Sequence, residues 1–156
     1  MYPAPGNIRQ MEWAELDLDG RMWAIPSAKM KRTKREKING RPHWVPLAPQ
    51  AVEALRALQP LTGGGPYVFP SLITPKKPMS ENTVRVALRR LGFDNETMTP
   101  HGFRAMARTV LVERLNVAPD VIEAQLAHGK SGPLGAAYDK AEFIEQRRAM
   151  MEAWAN

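Results

Sequence analysis

Residues 13–26 read Trp13-Ala14-Glu15-Leu16-Asp17-Leu18-Asp19-Gly20-Arg21-Met22-Trp23-Ala24-Ile25-Pro26, and this stretch decides the fold class. Asp19-Gly20 between two short runs is a hairpin signal. A third extended run, His43-Trp44-Val45-Pro46-Leu47, follows a very basic stretch, so a small antiparallel sheet is expected early in the chain. Ahead of it, residues 5–11 read as a short helix after a Pro-Gly pair. Beyond it the pattern turns helical. Ala51, Val52, Leu55 and Leu58 share one face of a helix starting near Pro49. Residues 62–66 form a Gly-rich loop, and Tyr67-Val68-Phe69 is a short apolar run suited to pairing or packing. Ser80 is placed as the N-cap of a helix that turns Val84, Leu88 and Leu91 inward and ends at Gly92. In residues 101–115, Phe103, Met106, Ala107, Val110 and Leu111 follow helical spacing. A shorter helix runs from Pro119 to near His128, and a last one from about Lys140 to Trp154. The expected class is α+β: mainly α, with one small antiparallel sheet.

The chain has 156 residues, ordinary for one domain, and 44% of them are hydrophobic, enough for a real core. Its formal net charge is +6 and its pI about 9.9, which points to an acidic partner, nucleic acid before an anionic membrane. No apolar run approaches the roughly 18 residues that a membrane span needs. Cysteine is absent, so disulfides and thiolate metal sites are excluded. The N-terminal residues lack the charged and apolar regions of a signal peptide, and cytoplasmic residence is the default expectation.

Three features could carry chemistry. The first is the stretch Lys29, Lys31, Arg32, Lys34, Arg35, Lys37 and Arg41, whose single acid is Glu36. Such like charges repel, and phosphate gives a reason to hold them close; a solvated loop is the plainer reading. Arg85, Arg89 and Arg90 on the outer side of the helix near 81–91 extend the basic surface. The second is His101-Gly102-Phe103-Arg104. Positions 101, 104 and 108 share a helix face, expected opposite the apolar stripe. Arginine offers a planar fork for two phosphate oxygens, and histidine moves protons near neutral pH. The third is Leu126-Ala127-His128, a Gly-rich loop, then Ala136-Ala137-Tyr138. A tyrosine hydroxyl is a poor nucleophile unless nearby cations ease its ionisation, and Arg, Lys and His would do that.

Taken in order, these words resemble the catalytic domain of tyrosine recombinases, most closely the integrases of satellite phages and genomic islands. The likeness runs through Gly6-Asn7-Ile8-Arg9-Gln10-Met11-Glu12-Trp13, Val45-Pro46-Leu47, Tyr67-Val68-Phe69-Pro70-Ser71, His101-Gly102-Phe103-Arg104 and Gln125-Leu126-Ala127-His128, with Tyr138 at the family's short spacing after His128. The resemblance implies that Tyr138 attacks a DNA phosphodiester, forming a 3′-phosphotyrosyl link and releasing a 5′-hydroxyl. It makes Arg104 the second of two arginines on the non-bridging oxygens, His101 a helper in proton transfer, and His128 a hydrogen-bond partner of the scissile phosphate. Lys31 best matches the lysine that protonates the leaving oxygen, with Lys29 and Lys34 as its neighbours. Lys29, Arg32, Lys34, Arg35, Arg85 and Arg89 are the expected DNA contacts.

The family's first arginine stands just ahead of Pro-Gly, where this chain has Ala4-Pro5-Gly6. Strongly reduced cleavage follows as an expectation, and a DNA-binding or assembly module that has lost catalysis is the alternative function. The resemblance further implies double-stranded DNA as partner, self-association on DNA in a tetrameric synapse, a bacterial or phage origin and no cofactor. It also implies that residues 1–156 are a fragment of the catalytic domain, lacking its early helices and the N-terminal DNA-binding domain. A metal-dependent nuclease built on His43, His101 and His128 lacks any short ligand spacing to support it. The apolar stripe Phe143, Ile144, Met151 and Trp154 of the last helix could dock on its own chain or on a neighbouring protomer.

Overall fold

The computed structural model of the chain describes residues 4–30, 37–38, 40–127 and 143–156. Among these, the elements follow in the order α1 (Pro5–Arg9), β1 (Leu16–Asp17), β2 (Met22–Ile25), β3 (His43–Pro46), α2 (Pro49–Thr62), α3 (Thr83–Arg90), α4 (Gly102–Glu113), α5 (Pro119–Gln125) and α6 (Ile144–Ala155). The architecture is α+β, as the residue pattern indicates.

The sheet is an antiparallel meander in the order β1-β2-β3. Trp23 pairs with Leu16 on one side and with Val45 on the other. With a period of two along β2, Trp23 and Ile25 are buried while Met22 and Ala24 are only partly so. The hairpin forms, but Asp19-Gly20 is not a two-residue turn. Four residues, Leu18–Arg21, separate the strands, and the positive φ falls on Arg21 at 55°. The Asp17 carboxylate accepts the Gly20 N–H at 2.8 Å, so a side chain organises the turn that backbone type alone would have tightened.

Pro49 opens α2 at its first turn, where its missing N–H costs nothing, and Val52 and Leu55 face inward. The helix stops at Gly63, whose N–H reaches the Gln59 carbonyl at 2.7 Å. A Cβ at Gly63 would come within 2.5 Å of that carbonyl oxygen, so only glycine closes this end without displacement. The run after it pairs rather than merely packs: Val68 N–H bonds Met11 O at 3.0 Å, and Trp13 N–H bonds Pro66 O at 3.0 Å.

Two apolar clusters result. One joins Trp23, Ile25, Val45, Leu47, Val52, Leu55 and Val68 with Met11 and Met30 beneath the sheet and α2. The other joins Ala107 and Leu111 of α4, Val121 and Ile122 of α5, Leu126, and Met150 and Met151 of α6, with Ala48. The helix α6 therefore docks on its own chain. Arg21 to Glu152 at 2.8 Å and Gln50 to the Ala155 carbonyl at 3.2 Å fasten it to the hairpin and to the start of α2.

The structure corrects two of the helical expectations. In α3 only Leu88 is buried, whereas Leu91 is 73% exposed and Val84 lies at the surface. Asn82, not Ser80, occupies the N-cap position; Ser80 instead bonds Thr83 through both its carbonyl and its hydroxyl. In α4 the buried positions are Ala107 and Leu111, and Phe103 and Met106 lie exposed. The helix is rotated from the apolar-stripe expectation because α5 and α6 cover it from the side of Arg104, Ala107 and Leu111.

Candidate active site

The rotation of α4 turns Arg104 towards the C-terminal end of α5. Its Nη2 donates to the Leu126 carbonyl at 2.8 Å. Helix C-termini leave carbonyls without intrahelical donors, and a guanidinium satisfies one while adding favourable charge at the negative end of the dipole. Burial pushes the Arg104 pKa below its ordinary value, and the nearby Glu123 carboxylate acts in the opposite direction. One turn further on, Arg108 Nε bonds Glu123 of α5 at 2.9 Å. His101 sits exposed at the N-cap position of α4, and its carbonyl accepts the Arg104 N–H at 3.1 Å. Arg104 is thus placed in the first turns of α4 and against the residue just ahead of Ala127 and His128.

The chain leaves α5 through an unusual conformation. Ala127 has φ 54°, left-handed for a residue with a Cβ. This turn passes the backbone between the two cores: Leu126 is buried in the helical cluster and Ala127 packs against the sheet cluster. His128, Tyr138, Lys31, Arg32, Lys34 and Arg35 lie outside the described residues.

Lys29 is turned inward, and its ammonium is bonded within the protein. Its ammonium bonds Gln10 O at 2.7 Å and Glu12 Oε1 at 2.6 Å, and also Glu15 Oε1. An ammonium has three donors, and these three acceptors use them inside the protein. Burial works against the charge, but the two carboxylates outweigh it and hold the Lys29 pKa above its ordinary value. Glu15 also accepts from the Trp23 indole at 3.0 Å, and Asn7 Nδ2 donates to the Lys29 carbonyl at 2.9 Å. This network ties α1 and the turn after it to the stretch that leads into Met30 and Lys31.

Arg85 is exposed on α3. Arg89 is committed to the loop after α3, donating to Met98 O at 3.3 Å and to Phe93 O and Asn95 Oδ1. Ala4 is exposed at the N-cap of α1, where its carbonyl accepts from Asn7 at 2.8 Å; its methyl group supplies no donor. Arg9 lies nearby in sequence, but its guanidinium is directed to Met79 O at 3.2 Å and Glu81 at 3.6 Å.

Two residues were missed by the sequence reading. Gln125 and Arg147 are buried, with 0% and 2% exposure, and Arg147 Nε donates to Gln125 Oε1 at 2.7 Å. The signal was present: Arg147 falls on the same helical face as Ile144, Met150 and Met151, and a charge inside an apolar stripe needs a buried partner. Among the described residues, no group of three His, Cys, Asp or Glu side chains could hold a metal ion, and no helix is long and apolar enough to cross a membrane.

The family model described as the phage integrase family matches residues 5–143. The chain is 40% identical over 152 residues to prophage integrase IntA of Escherichia coli (strain K12), covering 97% of this chain and 35% of that protein. It is 38% identical over 163 residues to the integrase of Enterobacteria phage P4, covering 96% of this chain and 36% of the relative. The integrase of Shigella phage Sf6 is 33% identical over 151 residues, covering 96% of this chain and 37% of that protein. No solved structure gives a significant match. The chain belongs to the phage integrase family, and it spans little more than a third of the length of these three relatives.

Proposed function

We propose that this protein acts in site-specific DNA recombination, integrating or excising a mobile element by cutting and rejoining DNA strands through Tyr138. The observation that carries the reading is the placement of Arg104: the arginine of the His101–Arg104 word is aimed by the Leu126 carbonyl at the segment that leads into His128. In this reading the Tyr138 oxygen forms a bond to the scissile phosphorus while the bond to the 5′-oxygen breaks. Lys31 delivers the proton to that oxygen. Arg104 and His128 hold the non-bridging oxygens as charge develops on them, and His101 assists proton transfer. The phosphotyrosyl bond conserves the energy for rejoining, so the cycle consumes no nucleotide. Duplex DNA is the partner, with Arg85 and the basic residues Arg32, Lys34 and Arg35 on its backbone, and protomers associate on it. Lys29 serves to hold the protein together instead.

Cleavage is slowed in this chain by Ala4. Removing one preorganised donor from a developing oxyanion costs roughly 10²–10³ in rate, so Ala4→Arg should accelerate cleavage by a factor of that order. The test is covalent capture on nicked duplexes drawn from a randomised pool. A protein–DNA adduct that survives denaturant, is abolished by Tyr138→Phe and grows faster with Ala4→Arg supports the reading. DNA binding with no adduct, in both the natural chain and Ala4→Arg, would leave a binding module and overturn it.

A further inference from the structure

Beyond the residues that face DNA, one buried contact links the last helix to the site. We propose that Arg147 is a positioning residue, which holds Gln125 from α6 and thereby fixes the carbonyl that aims Arg104. The inference rests on the proposed role of Arg104 in cleavage.

The geometry forms a continuous chain. Arg147 Nε donates to Gln125 Oε1 at 2.7 Å, and its Nη2 donates to the Trp44 carbonyl on β3. The Gln125 carbonyl meets His43 Nε2 at 3.3 Å, and the next carbonyl, that of Leu126, receives Arg104 at 2.8 Å. Arg147 therefore clamps the end of α5 against the edge of the sheet, where the last carbonyl of α5 meets His43 and that of its C-cap Leu126 receives Arg104. The following residue, Ala127, sits at φ 54°, a conformation that persists only where its surroundings impose it. Burying a guanidinium is costly, and well-packed apolar side chains often replace buried polar groups without loss of stability. Met150 and Met151 fill neighbouring positions of α6 in that way. An arginine at position 147 is then best explained by what it holds in place. A guanidinium is suited to this because its rigid fork can serve the Gln125 side chain and the Trp44 carbonyl together, which a lysine ammonium does with less geometric control.

The consequence is a coupling between two events. Seating of α6 and aiming of Arg104 share one hydrogen-bonded link, so a protomer whose α6 is displaced loses the restraint on its catalytic arginine.

The experiment uses the whole chain with Arg147→Met, and the double variant Arg147→Met/Gln125→Leu should the single one fail to fold. Two readouts are taken. The first is the NMR signal of the Arg104 Nε–H, a sharp resonance when the guanidinium is held and an averaged one when it is released. The second is single-turnover adduct formation on duplexes carrying either an ordinary phosphodiester or a neutral methylphosphonate at the scissile position. The expected result is an averaged Arg104 signal, unchanged DNA affinity, and cleavage of the phosphodiester slowed on the order of 10²-fold, the usual penalty for a misplaced catalytic group. The methylphosphonate, which lacks the charge that Arg104 would hold, is affected little. Equal slowing on both substrates, or an unchanged Arg104 signal, overturns the proposal. If the natural chain forms no adduct with either DNA, the cleavage reading fails, and the Arg104 signal alone decides whether Arg147 positions it.

Discussion

The two cores of this protein hold inward-turned cations in different ways. Beneath the sheet, Lys29 is enclosed by the carboxylates of Glu12 and Glu15. In the helical cluster, the hydrogen bonds of Arg104 and Arg147 described above run to amide oxygens, those of Leu126, Gln125 and Trp44. A carboxylate pair cancels a cation and locks it. A carbonyl directs a guanidinium through the geometry of its lone pairs. The first arrangement builds a scaffold, and the second orients a side chain, as the proposed role of Arg104 requires.

Substitutions can break this comparison. The largest effect is expected from Arg104→Ala, which should lower the rate of adduct formation by about 10²–10³ while leaving the thermal midpoint nearly unchanged. A collapse of stability without a selective loss of rate would show that Arg104 is scaffold as well. Glu15→Ala should do the reverse. It strips one acceptor from Lys29 and the acceptor of the Trp23 indole, and leaving a largely buried donor unsatisfied costs about 1–3 kcal/mol, measurable by urea unfolding.

The same pair has a signature in pH. Because the folded-state pKa of Lys29 is raised, its contribution is fully present below the ordinary lysine value of 10.5 and is lost as pH rises through the raised value. Stability should therefore fall at strongly alkaline pH, and Lys29→Met should flatten that fall; an unaltered alkaline profile would sink the assignment. The smallest effect belongs to Asp19→Ala. Its pair with Arg56 measures 2.6 Å, but the two side chains are 95% and 56% exposed. An exposed pair of this kind contributes about 0.5 kcal/mol or less.

How much was legible beforehand differed between the two regions. The sheet was readable because alternation in Met22-Trp23-Ala24-Ile25 and an Asp-Gly signal are local properties. Even there, the turn took four residues, because Asp17 captured the Gly20 amide. The helices were readable as helices, yet their orientation was not. Phe103 and Met106 match helical apolar spacing as well as Ala107 and Leu111 do, and only packing by α5 and α6 selected the second pair. The candidates His101, Arg104, His128 and Tyr138 rest on words and spacing, and the last two lie outside the described residues. Which cations face solvent could not be read from them, because Lys29 and Arg89 are withdrawn by acceptors that lie elsewhere in the chain or across a loop.

The sequence by itself determined the class of the fold, the basic character of the surface and membership of the phage integrase family, since these depend on composition, periodicity and ordered motifs. Only the tertiary structure decided which face of α4 is buried, where Lys29 directs its charge, and that Arg147 reaches Gln125 from 22 residues away. Periodicity reports the faces an isolated element could bury. A hydrogen bond between distant residues exists only once the chain has folded, and in this protein such bonds connect the last helix to Arg104.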